Sequence, residues 1–201
     1  MFFEPEKRDT SLLPHDPFKA IVAPRPIGWI TSISAAGELN LAPYSWFNGC
    51  VSRPNCVMFS SEGQKDSVSN IEETREFVCN FVTWELREPM NATSAHLPRS
   101  VDEMKVAGLE PAPSRLVKPP RVAAAPCALE CRLINITPLT ALDGKPLPVK
   151  IVVGQVVGIH IDERFVKSGM LDTAAMQPIM RCGYTDQYAT IGKMFAMKRP
   201  D

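Results

Sequence analysis

Nineteen prolines and eleven glycines interrupt this 201-residue chain, often enough that the ordered pieces between them must be short. Proline can neither donate to a strand ladder nor continue a helix, and glycine weakens both. The intervening pieces are rich in β-branched and aromatic residues, the pattern of a barrel or sandwich. The expected strands are residues 27–34, 41–48, 55–60, 76–82, 128–138 and 149–161. Gly37 with Glu38 and Leu39 turns the first into the second as a hairpin. Gly154 and Gly158 break a Val/Ile run, as at a barrel corner or where something approaches the backbone closely.

Three helices fit between the strands. Asp66 or Ser67 can cap one that runs to about Arg75, with Val68, Ile71 and Thr74 at helical spacing. Ser100-Val101-Asp102-Glu103 reads as a capping box opening a short helix that Gly108 ends. A third over 84–94 must place Pro89 in its first turn or at a kink. The proline-rich stretch 111–126 is expected as an extended surface connection. Apolar β regions before residue 84 and after 126 flank this insert. One sheet closed from both halves, in a single domain over 1–201, is the economical solution.

Lys and Arg total 22 and so do Asp and Glu, with no block of like charge, which argues against nucleic acid or an anionic membrane as partner. No apolar run approaches the ~18 to 20 residues of a transmembrane helix. The start, Met1-Phe2-Phe3-Glu4-Pro5-Glu6-Lys7-Arg8, lacks the order of a signal peptide. A cytoplasmic protein is expected, with Cys50, Cys56, Cys79, Cys127, Cys131 and Cys182 as reduced, mostly buried thiols. The acceptor triplets at Asn91 and Asn135 then carry no weight.

The chemistry concentrates in the first third. Pro24-Arg25-Pro26-Ile27-Gly28-Trp29-Ile30-Thr31-Ser32 leads into Ala42-Pro43-Tyr44-Ser45-Trp46-Phe47-Asn48, and Lys65-Asp66-Ser67 follows. Lys65, the Ser67 hydroxyl and the N–H groups of a helix start are what a phosphate monoester binds well. Read blandly, Lys65 is a solvated lysine before a helix cap. Strand alternation sets Trp29 and Thr31 on one face and Ile30 and Ser32 on the other; such hydroxyls also bond local backbone. Ser45, Trp46, Phe47 and Asn48 offer an amide beside two large rings, which suits either a polar-edged ring system or an aromatic core. Together these groups suit a flat, phosphorylated aromatic ligand such as flavin mononucleotide (FMN).

Other chemistries are poorly represented. No Gly-x-Ser-x-Gly, His-Glu-x-x-His, Gly-x-x-x-x-Gly-Lys-Ser/Thr or Gly-x-Gly-x-x-Gly occurs. His15, His96 and His160 lie far apart, and Cys127 and Cys131 share a strand face with Leu129 rather than a zinc turn, so no metal is expected. Cys50 can be a nucleophile near the pocket, or a small buried hydrophobe.

The ordered set formed by residues 24–32, 40–48, Lys65-Asp66-Ser67-x-x-Asn70-Ile71, Glu76-Phe77-Val78-Cys79-Asn80 and Ala128-Leu129-Glu130-Cys131-Arg132-Leu133 resembles the flavin reductase-like family, with its FMN-binding split barrel. The match spans about residues 20–161 and leaves 162–201 as an extension. The resemblance implies a Greek-key split β-barrel, a homodimer, and FMN near the subunit interface. It places Thr31 and Ser32 at the flavin or its side chain, Ser45 through Asn48 along the isoalloxazine, and Lys65 and Ser67 at the phosphate. Arg25 and Asn70 belong to the motifs, and Arg25 can equally fix the strand entry and Asn70 the first helical turn. Arg181, Gly183, Tyr184 and Tyr188 match loosely where relatives contribute to the pocket.

The implied reaction is hydride transfer from NADH or NADPH to flavin N5, then electron release to a free flavin, oxygen or a protein. It needs no catalytic acid, because the flavin carries the redox chemistry. No nicotinamide site is visible in the sequence. The alternatives are therefore a flavoredoxin-like electron carrier or FMN-binding module, and a split-barrel protein whose pocket serves another small molecule.

Overall fold

The structure, a computed structural model, describes residues 1–200. Seven strands form one curled sheet: Gly28–Ile33 (β1), Leu39–Tyr44 (β2), Phe47–Ser52 (β3), Asn55–Glu62 (β4), Glu76–Asn80 (β5), Cys127–Thr140 (β6) and Pro146–Ile161 (β7). Their order is β2-β1-β5-β6-β7-β4-β3, and every neighbouring pair is antiparallel. A single strand over 41–48 is therefore not what forms. The segment breaks at Ser45 and Trp46, because β2 and β3 lie on opposite edges of the sheet and the chain must step between them. There Trp46 O accepts from Ser60 N at 2.8 Å, and the Tyr44 ring of β2 packs 4.6 Å from that of Phe59 on β4. Phe59 in turn meets Phe77 edge-on at 5.9 Å. The edge strand β2 is thus joined to β4, the neighbour of the other edge, by side chains instead of a ladder, which makes the closed sheet a split barrel.

Alternation along β1 serves two cores at once. Ile30 enters the barrel with Phe59, Val68, Ile71, Phe77 and Val152. Trp29 faces outward into a second core with Leu41, Leu86, Met90, Met104, Val122 and Ile179, and its Nε1 donates to Thr93 Oγ1 at 2.9 Å. Gly154 and Gly158 each sit at a register shift in the β6–β7 ladder, as their place in the Val/Ile run implied. A Cβ on Gly154 would run into the Phe77 ring.

One helix keeps its expected length, and the other two expected ones are shorter than their sequence signals. Helix α1 is Phe18–Ile21, α2 Asp66–Thr74, α3 Arg87–Ala92 and α4 Glu103–Val106. Neither Asp66 nor Ser67 caps α2: Lys65 holds the cap position with no side-chain bond, and Arg75 ends the helix at φ 65°. Its Val68 and Ile71 plug the barrel. The capping box at 100–103 does not form. Asp102 caps α4 by accepting from Lys105 N, and the Glu103 carboxylate is drawn inward to Leu41 N at 3.0 Å. Pro89 falls in the first turn of α3, within the shortened span.

The stretch 111–126 is more than a surface connection. Pro111–Ala112 pairs with Arg121–Val122, and Val117, Val122 and Ala125 are buried. It is anchored by Glu130 of β6, whose fully enclosed carboxylate accepts from the backbone N–H of Arg115 (2.8 Å), Leu116 (2.6 Å) and Val117 (3.2 Å) and lies 2.5 Å from His160 Nε2. All six cysteines are unpaired, and Cys50 is exposed. The expectation of a buried Cys50 is corrected, because β3 is an outer edge strand with only one neighbour. No helix among the described residues is long and apolar enough to cross a membrane.

Burial pushes the Glu130 pKa up, but the Arg115 N–H, His160 and the Leu116 N–H outweigh it and hold the value below the ordinary one. A carboxylate with a lowered folded-state pKa contributes stability above its unfolded value, about 4.3, and loses it as the pH falls through the folded value. The amides of residues 115–117 should therefore lose hydrogen-exchange protection in acid. Glu130→Gln should show the loss already at neutral pH, with about 1–3 kcal/mol less stability.

Candidate functional site

Two clefts open on either side of the step between β2 and β3. The first, of about 490 Å3, is lined by Arg25, Ser45, Trp46, Phe47, Asn48 and Ser60, among others. Arg25 is only 6% exposed. Its Nη1 donates to Lys19 O and Val22 O, tying down the end of α1, and its guanidinium lies 4.9 Å from the centre of the Trp46 ring. Phe18 packs on the same indole at 5.7 Å. Burial and the nearby Arg181 lower the Arg25 pKa from its usual value, and Arg25 Nε is buried without a hydrogen-bond partner. Phe47 is held against Gly28, where any Cβ would strike the ring. The cleft is an aromatic wall with a fixed cation on one side and hydroxyl and amide groups on the other.

The second cleft, of about 320 Å3, is polar and contains Asn40, Tyr44, Lys65, Ser67, His96 and Glu103. Lys65 Nζ lies 5.8 Å from the Tyr44 ring centre, and Ser67 Oγ accepts from Asn40 Nδ2 at 2.7 Å. Tyr44 Oη and Ser61 Oγ are buried without a well-formed hydrogen bond, and the phenol lies beside the Ser67 and Ser61 hydroxyls. Burial raises the Tyr44 pKa, so the phenol stays a donor. Burial also raises the Glu103 pKa, while Asp66 is engaged by Arg99 at 3.5 Å. Lys65, the Ser67 hydroxyl and the first residues of α2 thus line one small volume, groups suited to an oxyanion.

The sequence model of the flavin reductase like domain matches residues 22–177. The chain belongs to the flavin reductase-like family. An uncharacterized protein of Halalkalibacterium halodurans is 33% identical over 184 residues, covering 89% of this chain and 87% of that one. Among solved structures, component B of nitrilotriacetate monooxygenase from Bacillus cereus superposes with a TM-score of 0.89 at 28% identity, covering 98% of both chains. A split barrel domain protein from Shewanella frigidimarina superposes with a TM-score of 0.85 at 20% identity over the full length of both, a likeness of fold.

In this flavin reductase-like chain the residues singled out from sequence fall into five places. Ser45, Trp46, Phe47 and Asn48 come together with Arg25 in the first cleft, and Lys65 and Ser67 meet in the second. Thr31, Ser32 and Asn70 lie behind the walls, fully or nearly fully buried. Thr31 Oγ1 accepts from Asn80 Nδ2 at 2.8 Å and Ser32 Oγ from Asn70 Nδ2 at 3.2 Å, so their hydroxyls are engaged inside the chain and fasten β1 to β5 and α2. Arg181 lies in a third cleft with Tyr188, and Tyr184 packs near His15, 5.7 Å between ring centres.

Sequence reading missed Tyr44, Ser60 and Ser61 as site groups. The signal was present in the alternation at the end of β4, which turns Ser60 toward the first cleft and Ser61 inward. Because Tyr44 Oη lies buried beside the Ser61 and Ser67 hydroxyls without a well-formed bond to either, Tyr44→Phe should cost the ligand-free protein no more than about 1 kcal/mol. A thermal melt showing a loss above about 1 kcal/mol would mean the phenol is bonded within the fold.

Proposed function

We propose that this chain is an FMN-dependent reductase that draws electrons from NADH or NADPH. The observation that carries the reading is the pair of adjoining clefts. One is a flat aromatic wall faced by a buried guanidinium; the other holds an ammonium, a serine hydroxyl and the first residues of α2. Those groups fit an anionic ligand with a planar ring. In this assignment Ser45, Trp46, Phe47 and Asn48 border the ring, with Ser60 and Arg25 beside it. Lys65, Ser67 and Tyr44 take the phosphate, and Thr31, Ser32 and Asn70 keep the walls in place.

The flavin, when bound, supplies the redox chemistry, accepting electrons from a nicotinamide and releasing them to free flavin, oxygen or a protein. The chain's own part is to bind, orient and exclude water. Arg25 clamps the α1 end over Trp46 and so keeps that ring in one position. The apolar wall desolvates the ring face, and Lys65 holds the phosphate end. No residue is asked to move a proton.

Component B of a monooxygenase and, at 28% identity and a TM-score of 0.80, a 2-nitrobenzoate 2-nitroreductase of Pseudomonas fluorescens support an oxidoreductase reading. The edge strand β3, whose Val51 is 50% exposed beside Met58 at 39%, supports a homodimer. Six unpaired thiols accord with work in a reducing cytoplasm.

The purified protein should show flavin absorption bands that bleach on anaerobic addition of NADH or NADPH; bands indifferent to both would favour an electron carrier supplied by a partner protein. Lys65→Ala should weaken FMN by about tenfold or more while barely changing riboflavin, which lacks the phosphate. Equal losses for the two ligands, measured by fluorescence titration, would remove Lys65 from the phosphate site.

A further inference from the structure

We infer that a third cleft, between Trp84, Arg87, Arg181 and Tyr188, is a nucleotide site that takes the adenosine diphosphate end of the electron donor. The donor's identity rests on the reductase reading above; the site itself rests on geometry. The strand Ile179–Arg181 (β8) pairs with Tyr188–Thr190 (β9), and this small sheet faces the start of α3 across a cleft of about 510 Å3.

Two guanidinium groups are stacked on two rings that line the same space. Arg87 lies 4.2 Å from the centre of the Trp84 ring and Arg181 lies 4.6 Å from that of Tyr188. Both rings remain open to solvent, at 48% and 40% exposure, so each aromatic and guanidinium pair offers a flat surface to a purine. Arg87 is further fixed by donating to Trp84 O at 2.7 Å. Guanidinium forks match phosphate oxygens in a planar, bidentate way. The two carboxylates of the lining, Glu88 and Asp186, are acceptors suited to ribose hydroxyls. Glu88 lies 3.5 Å from Arg87 with its side chain 78% exposed, and it is free to turn away when a phosphate arrives.

The position of the cleft explains why a nucleotide would be wanted there. Arg181 of β8 stands opposite Arg25 in the ladder, and Arg25 is the residue stacked on Trp46 in the first cleft. The nucleotide site is thus one strand away from the ring site. Two like charges set side by side in the same ladder are also an arrangement that a bound polyanion relieves. A donor anchored here by its diphosphate can send its other end toward Trp46 without leaving the protein.

The test is a calorimetric titration of the full-length protein with ADP, repeated for Trp84→Ala, Arg87→Ala and Arg87→Glu. FMN affinity and melting temperature are measured on each variant. Wild type should bind ADP, and each variant should lose about tenfold or more in ADP affinity while keeping its FMN affinity. Arg87→Glu reverses a partly exposed charge and tests the site should Trp84→Ala fail to fold. No binding of ADP at millimolar concentration, or unchanged binding by folded variants, would overturn the site. Flavin bleached normally by NADH with no ADP binding would leave the reductase reading standing without this cleft. ADP binding lost in the variants, with flavin indifferent to both nicotinamides, would keep the nucleotide site and remove the reductase reading.

Discussion

The aromatic stack of Tyr44 on Phe59 on Phe77 is the constraint on which the molecule turns. It ties the edge strand β2 to β4 and β5 across the barrel, where no ladder joins β2 to β4. Side-chain packing holds two strands without requiring their backbones to run in register, so the chain is free to step from one edge to the other at Ser45 and Trp46. That step exposes backbone and side chains that a continuous strand would hide. Both candidate clefts open beside it, and the same Tyr44 that packs its ring inside the barrel also lines the second cleft.

Buried polar groups then locate everything outside the barrel. Asn80 Nδ2 donates to Trp29 O and Thr31 Oγ1, and its Oδ1 accepts from Val122 N. One side chain therefore ties β1, β5 and the proline-rich segment together. Asn70 does the same for α2, bonding Ser32 while accepting from Arg99 at 3.0 Å. Glu130 takes three consecutive backbone amides that no strand could satisfy. Leaving any of these donors unmet in the interior would cost more than the bond itself contributes, so such groups specify a single arrangement of loops over the barrel.

The rules that failed at particular residues did so for a common reason. Asp66, Ser67 and Ser100 carry the local chemistry of helix caps, yet tertiary partners claim the groups concerned: Asn40 bonds Ser67, Arg99 engages Asp66, and Leu41 N takes the Glu103 carboxylate that a capping box would have used. Cys50 reads as a buried hydrophobe because its neighbours are apolar, but its strand is the last in the sheet. The family resemblance implied flavin contacts for Thr31 and Ser32, while their place at a strand end suited bonds within the chain, and their hydroxyls are engaged with Asn80 and Asn70.

What the sequence determined by itself is whatever depends on neighbours a few residues away. Proline and glycine spacing with β-branched runs set the short strands β1 to β5, whereas β6 and β7 run on through their prolines and glycines, and alternation put Trp29 and Ile30 on opposite faces. The ordered motifs between residues 24 and 133 marked the family. Tertiary structure alone decided which edge each strand takes, and hence that residues 41–48 split and that Arg25 lies over Trp46. It also decided that Arg87 and Arg181, 94 positions apart by their numbering, line one cleft. The physical reason is that strand order and side-chain partnership are settled by the burial of the whole core and the satisfaction of every enclosed polar group. Those conditions involve residues whose separation along the chain carries no local signal.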